Sequence, residues 1–165
     1  MNLLTHVLTG ILVQIICYSL FQFPLDLILT IIIAFLSHFI IDAFVLITYH
    51  PSEPQKGDKF WLWWQIITYS TGILTSFFFF PFVLGIIFAN FVDIIDWLIL
   101  RPLHELRVKT SKIDWKRNYL FHTLITIIRK KTLFWLPNWN YEKKAIITEI
   151  LLDTILFLSV IYLIL

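Results

Sequence analysis

The stretch Leu25–Tyr49, LDLILTIIIAFLSHFIIDAFVLITY, decides how this chain can fold. It is long and apolar enough to cross a bilayer as one helix. His38 and Asp42 lie four residues apart within it, and this spacing puts both on one face of a helix, about 5–6 Å apart at Cβ. Ionisable side chains inside a membrane span are costly, and they mark functional sites or paired groups. The two residues could therefore share a metal ion, or they could simply form a hydrogen bond with each other.

The composition of the whole chain agrees with this stretch. Its 165 residues are 59% hydrophobic and its mean hydropathy is +0.82, which excludes an ordinary soluble domain of this size. Several apolar runs of about 20 residues predict a polytopic membrane protein. The single cysteine, Cys17, excludes an intramolecular disulfide and a zinc site built from thiolates. Any metal ligands must therefore be His, Asp or Glu.

We predict an all-α bundle of about five membrane-spanning helices that forms a single domain over residues 1–165. The predicted spans are residues 3–21, 25–49, 59–80, 82–100 and 145–165. The first run lacks the basic start and the cleavage pattern of a signal peptide, so we expect it to be retained as a span. The polar segment 101–144 leaves the membrane. Within it, residues 118–128 are too few to cross a bilayer and predict an interfacial or re-entrant helix.

The basic residues divide unequally between the two sides of this predicted bundle. All 13 Lys and Arg fall on or next to the side that holds the N-terminus, the loop 50–58 and the segment 101–144. The positive-inside rule then predicts a cytoplasmic N-terminus and a C-terminus outside, in the plasma (inner) membrane. The tryptophans agree with this orientation, since an aromatic belt marks a membrane edge. Those at or near the cytoplasmic edge are Trp61, Trp63, Trp64, Trp97, Trp115, Trp135 and Trp139.

Ionisable side chains from four predicted spans fall in the cytoplasmic half of the bilayer, mostly within about 6–16 Å of its edge when counted by helix rise. Three of these spans carry two such residues at three- or four-residue spacing. Buried charges of this kind have to be paired or neutralised, and one or two divalent cations would neutralise the acids. Imidazole and carboxylate ligands suit Zn²⁺, Mn²⁺ or Fe²⁺. The residues of this layer are His6, His38, Asp42, Asp93, Asp96, Glu149 and Asp153.

Four short motifs resemble those of one known family, the small polytopic membrane-bound metal-dependent hydrolases of the LexA-regulated type. This family is similar to zinc-dependent phospholipase C, so the resemblance implies a metal-dependent hydrolase. The family's paired aspartates are D-x-D followed by His, whereas this chain has Asp93-x-x-Asp96 followed by Trp97. The arginine–glycine pair before the last histidine is also absent. The matching residues are Thr5-His6 with Gly10, Ser37-His38 with Asp42, Asp93 with Asp96, and Phe121-His122-Thr123.

The first hypothesis is therefore an intramembrane metal hydrolase that acts on a phosphoester of a lipid or lipid-like substrate at the cytoplasmic face. Glu149 or Asp153 would be its general base. Its metal ligands would be His6, His38, Asp42, Asp93, Asp96 and His122. A basic mouth would attract an anionic, phosphate-bearing substrate. The residues of this mouth are Arg101, Arg107, Lys109, Lys112, Lys116 and Arg117.

Two hypotheses from other classes compete with the hydrolase. A small cation or proton transporter also uses buried acids and histidines, but the outer half of this chain lacks polar residues to complete a path, and there is no inverted repeat. A non-catalytic membrane adaptor would use the basic region 101–131 to bind a partner, which leaves the intramembrane acids unexplained. Membrane lipid is the expected environment in every case, and nucleic acid is not an expected partner.

Overall fold

The computed structural model of the chain describes residues 1–51, 55–104 and 120–165, and the regular structure within these ranges is helical. The predicted all-helical fold is confirmed for these residues. The α-helices are α1 (Leu3–Leu20), α2 (Leu25–Ala43), α3 (Lys59–Phe78), α4 (Val83–Ala89), α5 (Phe91–Asp93), α6 (Leu120–Thr132) and α7 (Ile146–Ile164). Short 3-10 helices lie at Phe44–Ile47, Phe80–Phe82 and Lys143–Ala145, and a π-helical segment follows α5 at Ile94–Leu100.

Three helical stretches are long and apolar enough to cross a membrane, namely Leu3–Leu20, Leu25–Ile47 and Lys143–Ile164. A fourth crossing is added if α3 and the stretch Phe80–Ala89, which meet at 93°, form one broken span. The described residues therefore give three or four crossings, and the number of five remains a prediction. Many large apolar side chains point outward, Ile147 among them at 71% exposure. Such a surface is typical of a membrane protein.

Helix α1 lies at the centre of the bundle and packs against α2, α3, α4 and α7. Its N-terminus is capped by Asn2, whose side chain accepts a hydrogen bond from the backbone N–H of Thr5 at 2.8 Å. The apolar core forms along α1, α4 and α7 because these helices bury their facing side chains against each other. The fully packed members of this core are Val7, Leu8, Ile11, Ile86 and Val160.

Helices α1 and α4 cross with their backbones in direct contact. A Cβ atom on Gly10 would collide with the backbone carbonyl of Gly85, and a Cβ on Gly85 would collide with that of Gly10. Gln14 adds two hydrogen bonds at the same crossing, because its side chain accepts from the N–H of Gly85 at 2.7 Å and donates to the carbonyl of Pro81 at 3.3 Å. The crossing fixes α4 against α1, and with it the start of the segment that carries Asp93 and Asp96.

The predicted span over residues 82–100 is not one regular α-helix. Helix α4 ends at Ala89, and Asn90 interrupts the chain before α5. The side-chain amide of Asn90 donates to the carbonyl of Ile86 at 2.8 Å, and such side-chain bonds to the preceding turn compete with the helical ladder. The chain then continues as the π-helical segment Ile94–Leu100. Wide turns of this kind often occur at functional sites.

One end of the bundle collects the start of α1, the end of α2 and the start of α7. His6 of α1 contacts Asp42 of α2 at 3.1 Å, and Thr5 of α1 donates to Asp153 of α7 at 2.6 Å. Helix α6 packs against α2 and the π-helical segment at the same end. It extends to Thr132, four residues beyond the predicted end at residue 128, and the basic residues 129–131 lie in its last turn. Cations in the last turn of a helix are favourable to its dipole.

Candidate metal centre

Four of the predicted metal ligands come together at this end of the bundle. His38 and Asp42 project from one face of α2, Asp93 lies at the end of α5, and His122 lies in the first turn of α6. Each offers one ligand atom, and these atoms all lie within 4.8 Å of one another. We call these four residues the metal cluster.

The distances within the metal cluster match the spacing of donors around one ion. The Nε2 atom of His38 is 3.4 Å from Oδ2 of Asp42 and 3.8 Å from Oδ1 of Asp93. The Nε2 atom of His122 is 3.5 Å from the same Asp42 oxygen and 3.3 Å from the same Asp93 oxygen. Donors in a tetrahedral site with zinc bonds of about 2.0–2.1 Å lie roughly 3.3–3.4 Å apart. The four His–Asp distances are close to that spacing, and all the donor atoms lie within 4.8 Å of one another.

The orientation of the His38 ring is fixed by its other nitrogen. Nδ1 lies 2.7 Å from the carbonyl oxygen of Ala89, the last residue of α4, so Nδ1 carries the proton and donates. Nε2 then presents a lone pair to the metal cluster. It is buried and makes no hydrogen bond with the described residues. A metal-ligating histidine usually has this arrangement, in which one nitrogen donates to a carbonyl and the other binds the ion.

Asp96 was predicted as a ligand, but the structure turns its carboxylate toward the backbone of α6. Its Oδ2 atom accepts hydrogen bonds from the N–H groups of Phe121 and His122, at 3.0 and 2.9 Å. The same oxygen lies 2.8 Å from Nδ1 of the His122 ring. Asp96 therefore caps the start of α6 and orients His122 so that Nε2 faces the metal cluster. The carboxylate–histidine pair has the geometry of a second layer around a metal site.

His6 was also predicted as a ligand, and it lies beside the metal cluster instead of within it. Its ring stacks on the His38 ring, with centroids 4.1 Å apart and an interplanar angle of 11°. Its Nε2 is 3.1 Å from Oδ1 of Asp42, the oxygen that does not make the cluster contacts. The amino group of Met1 contacts the same oxygen. These contacts orient Asp42 and leave its Oδ2 available to a cation.

The electrostatic surroundings of His122 favour a positive charge. Burial works to lower the pKa of His122, but hydrogen bonds to Asp42, Asp93 and Asp96 outweigh it and raise this pKa to about 10. The side chains of Asp93 and His122 are 33% and 22% exposed, whereas that of His38 is fully buried. The cluster is therefore reached from the side of Asp93 and His122.

The two predicted general bases form a separate polar group. The Asp153 carboxylate accepts hydrogen bonds from Thr5 Oγ1 at 2.6 Å and from Asn2 Nδ2 at 3.0 Å. The Glu149 carboxylate accepts one from the indole N–H of Trp64 at 3.1 Å. Among the described residues, none of the hydrogen bonds of Glu149 or Asp153 involves the metal cluster. Their observed role is to hold α7 against α1 and α3.

The cationic surroundings of the cluster also differ from the sequence prediction. Of the basic mouth, Arg101 is described, but Arg107, Lys109, Lys112, Lys116 and Arg117 lie outside the described residues. Arg129, which we did not predict as a site residue, donates from Nη2 to the backbone carbonyl of Asp42 at 2.7 Å. Residues seven apart lie on one face of a helix, so the position of Arg129 seven residues after His122 could have indicated that it lies near the metal cluster.

Two imidazole nitrogens and two carboxylate oxygens suit Zn²⁺, and also Mn²⁺ or Fe²⁺. The buried Nε2 of His38 makes no hydrogen bond within the part of the chain that the structure describes. The residues present therefore fit a divalent metal ion.

Comparison of the chain with protein-family models, curated protein sequences and solved structures gives no match.

Proposed function

We propose that this chain is a membrane-embedded, metal-dependent hydrolase that cleaves a phosphoester of a lipid or lipid-like substrate. The observation that carries the proposal is the metal cluster with its uncommitted His38 Nε2. The resemblance of short motifs to the LexA-regulated type of membrane-bound hydrolase supports the same reaction class. A simple structural His–Asp pair would need neither a second histidine nor a second aspartate converging on it from other helices.

Each residue has a distinct task in this proposal. His38, Asp42, Asp93 and His122 would hold Zn²⁺, or Mn²⁺ or Fe²⁺ in its place. Such an ion would supply Lewis acidity and lower the pKa of a water molecule toward neutrality. Asp96 orients His122 through Nδ1. Asp93 and His122, whose side chains are only partly buried, form the side at which a substrate would arrive.

The placement of the metal cluster supports a lipid substrate at the cytoplasmic face. His6 lies in the first turn of α1 and Asp42 lies in the last turn of α2. At 1.5 Å per residue, these positions are only a few ångströms from the helix ends. All 13 Lys and Arg are expected on this side, so we propose a cytoplasmic N-terminus, five spans and an outside C-terminus in the plasma membrane. A lipid could then bring its headgroup to the cluster with its tails still in the bilayer.

The test is release of phosphate or headgroup from mixed lipid vesicles by the purified protein. We expect activity that a chelator abolishes and that added Zn²⁺ or Mn²⁺ restores. Asp93→Asn keeps the size of the side chain but removes the charge that would hold a cation, so activity should vanish while the protein still folds. Asp26→Asn, the same change at the opposite end of α2, is the matched control and should keep the wild-type rate.

A wild-type protein that cleaves nothing with any divalent metal would refute the hydrolase. Uptake of metal ions or protons into proteoliposomes would then favour the transporter class, which also needs buried acids and histidines. Equal rates for the wild type and Asp93→Asn would show that the cleavage does not occur at the metal cluster.

A further inference from the structure

Arg129 lies next to the metal cluster although it is not part of it. It follows His122 by seven residues on α6, so both project from one face of that helix. Its Nη2 atom donates to the backbone carbonyl of Asp42 at 2.7 Å. The guanidinium is thus held beside the residue whose carboxylate faces the cluster.

Most of the hydrogen-bonding capacity of Arg129 is not used. Its Nε atom is buried and has no hydrogen-bond partner among residues 1–51, 55–104 and 120–165. None of the carboxylates in the described ranges lies within ion-pair distance of it, although several other basic groups at this end of the bundle do have such partners. A guanidinium has five N–H donors in a planar fork, and here one bond to a carbonyl is formed. A buried donor is stabilised by an acceptor, so the remaining N–H groups of this fork suit an anion.

Capping of α2 alone does not explain an arginine at this position. The carbonyl of Asp42 belongs to the last turn of α2, where carbonyls lack helical partners, but a neutral amide could donate to it equally well. A divalent ion in the metal cluster would offset the charges of Asp42 and Asp93. The positive charge of Arg129 would then remain available to an anion arriving at the cluster.

We propose that Arg129 binds the phosphoryl oxygens of the substrate through the unused part of its guanidinium fork. The inference rests on the proposed function, because it assigns the anion to the same metal cluster. Planar N–H pairs match the oxygens of a phosphoryl group, and Arg is suited to such sites for this reason. Free phosphate and a lipid phosphomonoester share this chemistry, and the experiment separates them.

The experiment compares Arg129→Gln with Lys130→Gln in zinc-loaded, detergent-purified protein. Both changes remove one positive charge from the same turn of α6, but Lys130 is exposed. Elemental analysis measures bound zinc, and calorimetry measures the affinity for inorganic phosphate. We expect Arg129→Gln to keep its zinc and to bind phosphate roughly ten- to a hundredfold more weakly than the wild type. This factor corresponds to the loss of one or more charge-assisted hydrogen bonds. Lys130→Gln should match the wild type in both measurements.

A second arm uses phosphatidylcholine vesicles with and without phosphatidic acid. If the physiological ligand is a lipid phosphate, wild type should bind the phosphatidic acid vesicles more tightly, and Arg129→Gln should lose that difference. If the ligand is free phosphate, only the calorimetric arm should respond. Either result supports the inference. If the glutamine variant does not fold, Arg129→Lys, which keeps the charge and loses the fork, should still weaken phosphate binding without loss of zinc.

The possible failures are distinguishable. Wild-type protein that holds no zinc would overturn the proposed function and this inference with it. Zinc-loaded protein whose phosphate and lipid affinities are the same in wild type and Arg129→Gln would overturn the inference alone. A lower melting temperature with unchanged phosphate affinity would show that Arg129 serves only as a cap for α2.

Discussion

Replacing Asp96 with Asn tests whether this residue orients a ligand or is itself a ligand. One oxygen of Asp96 accepts from two backbone N–H groups and from the ring of His122. Asparagine keeps the shape of the side chain, and its amide oxygen can occupy the same place. The three hydrogen bonds would then lose their charge assistance, and charge-assisted bonds are about twice as strong as neutral ones. The His122 ring would be held less firmly and would be a poorer donor to the metal.

The size of the effect follows from the position of Asp96 behind His122. Removal of a hydrogen-bond partner of a metal-ligating histidine typically costs 10–100-fold in metal affinity. At about 1.4 kcal/mol per factor of ten, this is roughly 1.4–2.8 kcal/mol of binding free energy. The weaker cap of α6 should cost about 1 kcal/mol of stability as well. Removal of a ligand, as in His38→Ala, should reduce affinity by more than either figure.

The assay is competition for zinc between the purified protein and a chromogenic chelator of known affinity. Asp153→Asn is the matched control, because Asp153 also accepts two side-chain hydrogen bonds at this end of the bundle without a contact to the metal cluster. It should keep the wild-type zinc affinity. If Asp96→Asn loses zinc as completely as His38→Ala, Asp96 is a ligand, as the sequence alone predicted. If its affinity is unchanged, the Asp96–His122 pair does not support a metal site and the reasoning fails.

Three further predictions concern the cluster, the topology and the helix crossing. His38→Ala and Asp42→Ala should each sharply lower bound zinc in elemental analysis, whereas His50→Ala should not; equal losses in all three would mean that the cluster is larger than four residues. A C-terminal reporter active only in the cytoplasm should be silent, and a strong signal would contradict the five-span orientation. Gly10→Ala should lower the free energy of unfolding by about 1–3 kcal/mol, because the added Cβ atom would collide with a backbone carbonyl. An added Cβ atom at Gly72 would meet the side chain of Leu3, which can move. A larger loss of stability for Gly72→Ala than for Gly10→Ala would therefore refute this interpretation of the crossing.

Helical spacing alone brings two members of the metal cluster side by side. The four-residue interval between His38 and Asp42 places them on one face of α2, and the structure brings Asp93 and His122 to that face. The three-residue interval between Asp93 and Asp96 predicts one shared helix face, but the chain there is π-helical and the two side chains point differently. A π-turn is wider than an α-turn, so a residue three positions on points in a different direction.

The depth of a residue in the membrane predicts its contacts less well than the direction in which its side chain projects from the helix. Glu149 and Asp153 belong to the same polar end of the bundle as His6, yet α7 faces α1 and α3 there, so the two acids bond to Asn2, Thr5 and Trp64. Hydropathy and helix rise give the height of a residue, but they do not give the neighbour that its helix faces. That neighbour depends on packing, which here follows from close contacts such as the crossing of α1 and α4.

The interruption at Asn90 explains how one short segment can serve the cluster in three ways. Because α4 ends there, the carbonyl of Ala89 is positioned to accept from His38 and to fix its ring. The chain then directs Asp93 toward the two histidines and Asp96 toward the start of α6. A regular helix over the same residues would point Asp93 and Asp96 in similar directions, and one of these two tasks would be lost. The local departure from α-helical geometry is therefore what lets a single segment supply one residue of the metal cluster, orient a second and support a third.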